Sequence, residues 1–172
     1  MRHTPRLSPF LVPILLLGCG GSAPPPQEDA GQPAASEATL TACDLLTQAE
    51  VEQATGIPVT AVTPKDSGVF SSCSYEADDW IKGSGVLYYP SLSPVAGSAA
   101  LADFLRQDLE KDQAPYTTPQ PMDGLGDAAA AYQATDGVQF FLVVQKGSQR
   151  IVVSGPNGEA LSGLARLALS RF

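Results

Sequence analysis

Apolar and polar side chains alternate along residues 138–145, where Val138, Phe140, Leu142 and Val144 fall on one side of an extended chain. The sequence KGSQ then turns the chain, and residues 150–154 (RIVVS) return. A period of two marks a half-buried strand, so a β-hairpin is predicted here. Three more extended stretches precede it, residues 59–62, 69–77 and 86–89, set apart by PKDSG and DDWIKGSG. In the second of them Val69, Ser71, Cys73, Tyr75 and Ala77 share one face, which turns Cys73 toward the interior. Residues 128–134 form a further strand candidate, reached through a loop rich in Pro, Thr and Gln.

The period lengthens to that of a helix over residues 98–112. There Leu101, Phe104, Leu105 and Leu109 make one stripe, and Arg106, Asp108, Glu110 and Lys111 lie mostly outside it. Thr47 and Glu50 fit a T-x-x-E capping box and predict a helix over 48–55, which Gly56 ends and Pro58 forbids from continuing. Asn157 caps a last helix that carries Leu161, Leu164, Ala165 and Ala168 inward. The order α-βββ-α-βββ-α favours an α+β fold, an antiparallel sheet of about six strands covered by helices, over a parallel nucleotide-binding sheet. The two halves share this order but no similarity at the level of residues, so no repeat is inferred.

Ahead of this single domain, placed at residues 39–172, the pattern changes twice. Residues 1–18 pass from a segment holding Arg2 and Arg6 into an apolar stretch that ends in LLG before Cys19. That is the plan of a secretory signal, and its apolar part is shorter than the roughly 20 residues of a spanning helix. The LLGC ending resembles the bacterial lipobox, which implies cleavage before Cys19 and acylation of that cysteine. Residues 19–38 then hold Pro, Ala, Gly, Ser, Gln and Glu with no large apolar side chain after Cys19, a composition that forms a disordered tether. The expected address is the cell envelope, with the chain anchored to a membrane by the lipid on Cys19. That membrane is either the periplasm-facing side of an outer membrane or the outer leaflet of a single cell membrane.

Cleavage removes Arg2, Arg6 and the only histidine, and leaves eight basic residues against eighteen acidic ones, a formal charge of −10. Such a balance, without Lys/Arg clusters, argues against nucleic-acid partners. The loss of histidine removes the Ser-His-Asp triad, and no G-x-S-x-G elbow or S-x-x-K pair replaces it. Cys43, just ahead of the first predicted helix, admits two readings: a thiol activated by the helix terminus, or half of a disulfide with Cys73. Export and the absence of a histidine base favour the disulfide, whose loop of about 30 residues is worth roughly 3.6 kcal/mol in the chain-entropy picture.

No cofactor and no metal site is expected. Asp78-Asp79 and Asp123 with Asp127 do not follow a calcium-loop spacing. GLGDAA at 124–129 matches a variant of the dinucleotide fingerprint, but Gln120-Pro121-Met122-Asp123 before it is a poor strand, and it is read as a tight turn. Trp80, Tyr88, Tyr89 and Tyr116 are candidates for lining a ligand groove, set against ordinary core or rim packing.

CDLLT at 43–47, CSY at 73–75, GLGDAAAAY at 124–132 and the hairpin FLVVQKGSQRIVVS at 141–154 together resemble a family of uncharacterised bacterial lipoproteins, best known from actinobacteria as a domain of unknown function. The resemblance implies that Cys43 and Cys73 pair, and it brings no assigned activity. The expected function is therefore a non-enzymatic, lipid-anchored envelope protein that binds or supports another envelope protein or a lipid-like ligand. The alternative is a carboxylate-dependent hydrolase of envelope glycans built on Glu76, Asp78 or Asp79.

Overall fold

The computed structural model describes residues 40–113 and 115–172. The signal segment, Cys19 and the tether to residue 38 lie outside the described residues. Within them the elements run α1 (Ala42–Leu45), α2 (Gln48–Thr55), β1 (Ala61–Asp66), β2 (Ser71–Glu76), β3 (Ser84–Tyr89), α3 (Ser98–Lys111), β4 (Gln120–Met122), β5 (Ala128–Gln133), β6 (Phe140–Lys146), β7 (Gln149–Gly155) and α4 (Gly158–Leu169). No helix among the described residues is long and apolar enough to cross a membrane.

The fold is α+β. One antiparallel sheet holds the seven described strands in the order β1-β2-β3-β7-β6-β5-β4. Two meanders, β1 to β3 and β4 to β7, meet where β3 pairs with β7, Tyr88 facing Ile151 and Tyr89 facing Arg150. Alternation along the strands then builds two interiors. On one face Cys73, Tyr75, Val86, Tyr88, Leu142, Val144, Ile151 and Val153 pack under α1, α2 and α4 in a closed core. On the other, Ala128, Ala130 and Val143 pack with Leu101 and Ala102 of α3 in a smaller one.

The capped helices form as their sequences require. Thr47 accepts from the Glu50 N–H at 3.3 Å and Glu50 accepts from the Thr47 N–H at 2.7 Å, while Gly56 takes φ 70° at the end of α2. Asn157 accepts from the Glu159 N–H at 3.0 Å to open α4.

Five expectations are refined or corrected. The sheet expected to have about six strands has seven, because Gln120–Met122, set aside as a poor strand, pairs with Ala129–Ala131 at the sheet edge. Pro121 is tolerated in such a place because at a sheet edge an N–H that would point outward has no strand to pair with, so its loss breaks no ladder bond. PKDSG is not all turn: Pro64, Lys65 and Asp66 belong to exposed edge strand β1, and the chain turns at Ser67-Gly68, where Asp66 accepts from the Gly68 N–H at 2.7 Å. Residues 59–60 precede that strand, and Val69 stands 70% exposed outside β2. A second capping box, Thr41 with Asp44, makes the short helix α1 out of the run into α2. Finally, Phe104 does not bury with Leu101 but stays 46% exposed, a difference that opens the site below.

Candidate ligand groove

The site follows from where α3 lands. β5 contributes Ala128 and Ala130 to that side of the sheet, and short side chains let a helix approach closely. Ser98, the first residue of α3, donates from its hydroxyl to the Met122 carbonyl at 2.6 Å and accepts from the Ala129 N–H at 3.1 Å. The helix is thereby fixed over β4 and β5, at one margin of the sheet. On the same face of β6, β7, β3 and β2, Val143 and Arg150 are buried, whereas Phe141, Val152, Leu87, Tyr89, Ser72 and Ser74 are only partly buried or exposed beside the helix.

Between that floor and the flank of α3 runs a groove of about 520 Å³, walled on the helix side by Phe104, Leu105, Asp108 and Leu109. This volume lies within the roughly 300–1,000 Å³ typical of small-molecule sites. Its floor shares Ser74, Gly85, Phe141 and Ser154 with a second basin of about 490 Å³, which Glu76, Gln139 and Trp80 border. Trp80 is 83% exposed at that rim, on a short 3-10 turn whose start Asp79 caps.

Four polar groups enter the apolar walls. Arg150, only 8% exposed, donates from Nη2 to Gln145 Oε1 at 2.9 Å, and its guanidinium lies 5.3 Å from the centre of the Phe104 ring. Its Nε is buried and has no hydrogen-bond partner among the described residues, and none of the ion pairs among them involves it. Burial pushes the Arg150 pKa down from its ordinary value, an effect that the neighbouring Tyr89 opposes. An arginine nevertheless remains a cation at any physiological pH. Burial raises the Tyr89 hydroxyl, with Arg150 opposing and Asp108 adding to the shift. Burial first, then the proximity of Tyr116, Tyr89 and Asp108, pushes Tyr132 up to about 12. Both phenols are therefore neutral donors in neutral solution, beside the exposed Asp108 carboxylate of α3.

The residues singled out from sequence go to different places. Cys43 and Cys73 are bonded, with sulfurs 2.11 Å apart, and join α1 to β2 beneath the closed core face. Of the four aromatics, Tyr89 and Trp80 line the grooves. Tyr88 is buried on the opposite face and accepts from Gln149 at 2.8 Å. Tyr116 packs edge-on against Tyr132 and Phe141. Glu76 borders the second basin and accepts from the Thr63 hydroxyl at 2.7 Å. Asp78 is exposed, Asp79 pairs with Lys82 at 3.7 Å, and Asp127 accepts from the Gly147 N–H at 2.7 Å. Asp123 is exposed in the turn after β4. No three His, Cys, Asp or Glu residues cluster as metal ligands among the described residues. The GLGDAA turn runs into strand β5 rather than a helix, which excludes the dinucleotide arrangement.

Arg150 went unnoticed in the sequence because RIVVS was taken only as the return arm of a hairpin. Its signal was there: in a strand whose odd positions Ile151 and Val153 are buried, a cation shares the even positions with Val152 and Ser154. Compared with known families, characterised proteins and solved structures, the chain matches none.

Proposed function

We propose that the chain is a lipid-anchored envelope protein that holds an amphipathic, lipid-like molecule in the groove beside α3 and performs no catalysis on it. The observation that carries this reading is the partly covered face of the sheet, where, among the described residues, apolar Leu87, Phe141 and Val152, with buried Val143 beside α3, line a ligand-sized cleft. Isolated apolar side chains at a surface are ordinary, but a concave apolar trough with a few convergent polar groups is the usual form of a binding site. The carboxylates support binding over hydrolysis: among the described residues Asp108 is the one acidic side chain bordering this groove, and Glu76 borders the other basin. The LLGC segment and the CDLLT, CSY and GLGDAA motifs support the envelope address.

The test is titration of the full-length chain with N-phenyl-1-naphthylamine, a neutral dye that fluoresces in apolar surroundings. Saturable binding is expected, and Val152→Lys, which sets a charge in the floor, weakens it by about tenfold or more. Dye binding indifferent to that substitution, in a variant with unchanged circular dichroism, refutes the groove as the site.

A further inference from the structure

We infer that the ligand is a single-chain amphiphile with a carboxylate head, which Arg150 receives at the hairpin end of the groove while the chain lies along β7. The inference rests on the groove reading above and deepens it. Arg150, Val152 and Ser154 follow one another on the same face of β7, so the floor passes from a cation to an apolar stretch bounded by Leu87, Val143 and Phe141. From residue 150 to residue 154 a strand advances about 13 Å at about 3.3 Å per residue. Beyond Ser154 the floor opens into the second basin, which leaves the far end of a chain somewhere to go.

Arg150 itself points to a ligand. A guanidinium has five N–H donors, and hydrogen bonds account for one of them here, to Gln145 Oε1. The buried Nε donor has no acceptor among the described residues, although buried polar groups are nearly always paired. Packing alone does not explain the cation, because the neighbouring even positions of the strand are filled by Val152 and Ser154. Charge selects the head group. One guanidinium balances one carboxylate, whereas a phosphate monoester carries close to two negative charges and would leave one uncompensated near Asp108. A guanidinium also matches the two oxygens of a carboxylate in geometry.

The full-length chain loaded with N-phenyl-1-naphthylamine is titrated with dodecanoate, dodecanol, dodecyl phosphate and dodecyltrimethylammonium, each below its micelle concentration, and dye displacement is followed. Dodecanoate is expected to bind about tenfold or more tightly than dodecanol and to exceed the other two, as a hydrogen-bonded charge pair requires. Arg150→Met should remove this preference, while Arg150→Lys should keep part of it. Equal affinity for dodecanoate and dodecanol in the unaltered protein overturns the inference without recourse to any variant, and leaves the groove reading standing. Tighter binding of dodecyl phosphate overturns it too, as does an Arg150→Met protein that still prefers dodecanoate. Failure of the neutral dye to bind removes the groove reading and this inference together. Dye release on self-association of the chain overturns the inference by placing a second copy in the groove.

Discussion

A methyl group on Gly126 would sit 2.4 Å from the Gln145 carbonyl oxygen and 2.8 Å from a Val144 methyl, and the residue already holds φ 56°. Gly124, two residues earlier, also has a positive φ of 76° but open space around it. The two glycines of GLGDAA thus have separate reasons. One supplies a left-handed bend, and the other both bends and lets the turn lie against β6. Gly124→Ala is expected to cost about 1 kcal/mol, the penalty of a left-handed alanine. Gly126→Ala should cost about 3 kcal/mol or more, since backbone strain and a clash with main chain add. Urea denaturation of the two variants separates these cases; equal losses would mean that only the bend matters. That these glycines make a turn was legible in the sequence. The contact with Gln145 was not, because it depends on how β5 and β6 register across the sheet. Arg150 has the same history: its place in the return strand of a hairpin was predicted, but the unmet Nε donor exists only once Gln145, Phe104 and α3 are in position.

The short helix α1 shows what a pair of boxes and a bond accomplish where propensity cannot. Four residues are too few for a helix to persist alone, so Ala42–Leu45 depends on its surroundings. Asp44 caps Thr41, the Ala42 N–H donates to the Ser71 hydroxyl at 2.8 Å, and Cys43 is bonded to Cys73 of β2. Replacing both cysteines by serine, or reducing the bond, should lower stability by about 3.6 kcal/mol for a separation of 30 residues. Urea midpoints with and without reductant measure this, and coincident curves would show that the caps alone hold α1 in place.

The caps also set an acid limit. The Thr41 hydroxyl and N–H hold the Asp44 carboxyl below its ordinary 3.8, and the Thr47 N–H holds Glu50 below 4.5, with the Thr47 hydroxyl and Arg171 assisting. A carboxyl depressed in the folded state is protonated first in the unfolded chain. Its stabilisation is present above the ordinary value and is lost as pH falls through the folded one. The urea midpoint should therefore decline as pH drops below about 4.5, the ordinary Glu value. Glu50→Gln should start lower at pH 7 and decline less, and parallel profiles would refute the role of that cap.

Among the described residues the sheet presents one fully covered face and one partly covered face, and this asymmetry governs what substitutions will do. Strand periodicity was visible along the chain because burial on either side repeats every two residues. Coverage was not visible, because it depends on where α3 settles, and that is decided by the small side chains of β5 and the two hydrogen bonds of Ser98. Phe104 was read as core from its helical spacing, yet it overhangs the groove for this reason. The consequence is a separation of stability from binding. Leu164 of α4 is 1% exposed in the closed core, so Leu164→Ala leaves a cavity and should cost about 2–5 kcal/mol. Leu87 points from β3 to the opposite face of the sheet and is half-buried in the groove floor, where truncation removes little protein contact. Leu87→Ala should cost under about 1 kcal/mol in urea denaturation, because only part of its apolar area leaves water on folding. It should nonetheless weaken binding of the neutral dye severalfold, since the ligand completes what the fold leaves open. A Leu87→Ala protein as destabilised as Leu164→Ala would mean that the second face is closed in solution. A stable variant with undiminished dye binding would place the ligand elsewhere.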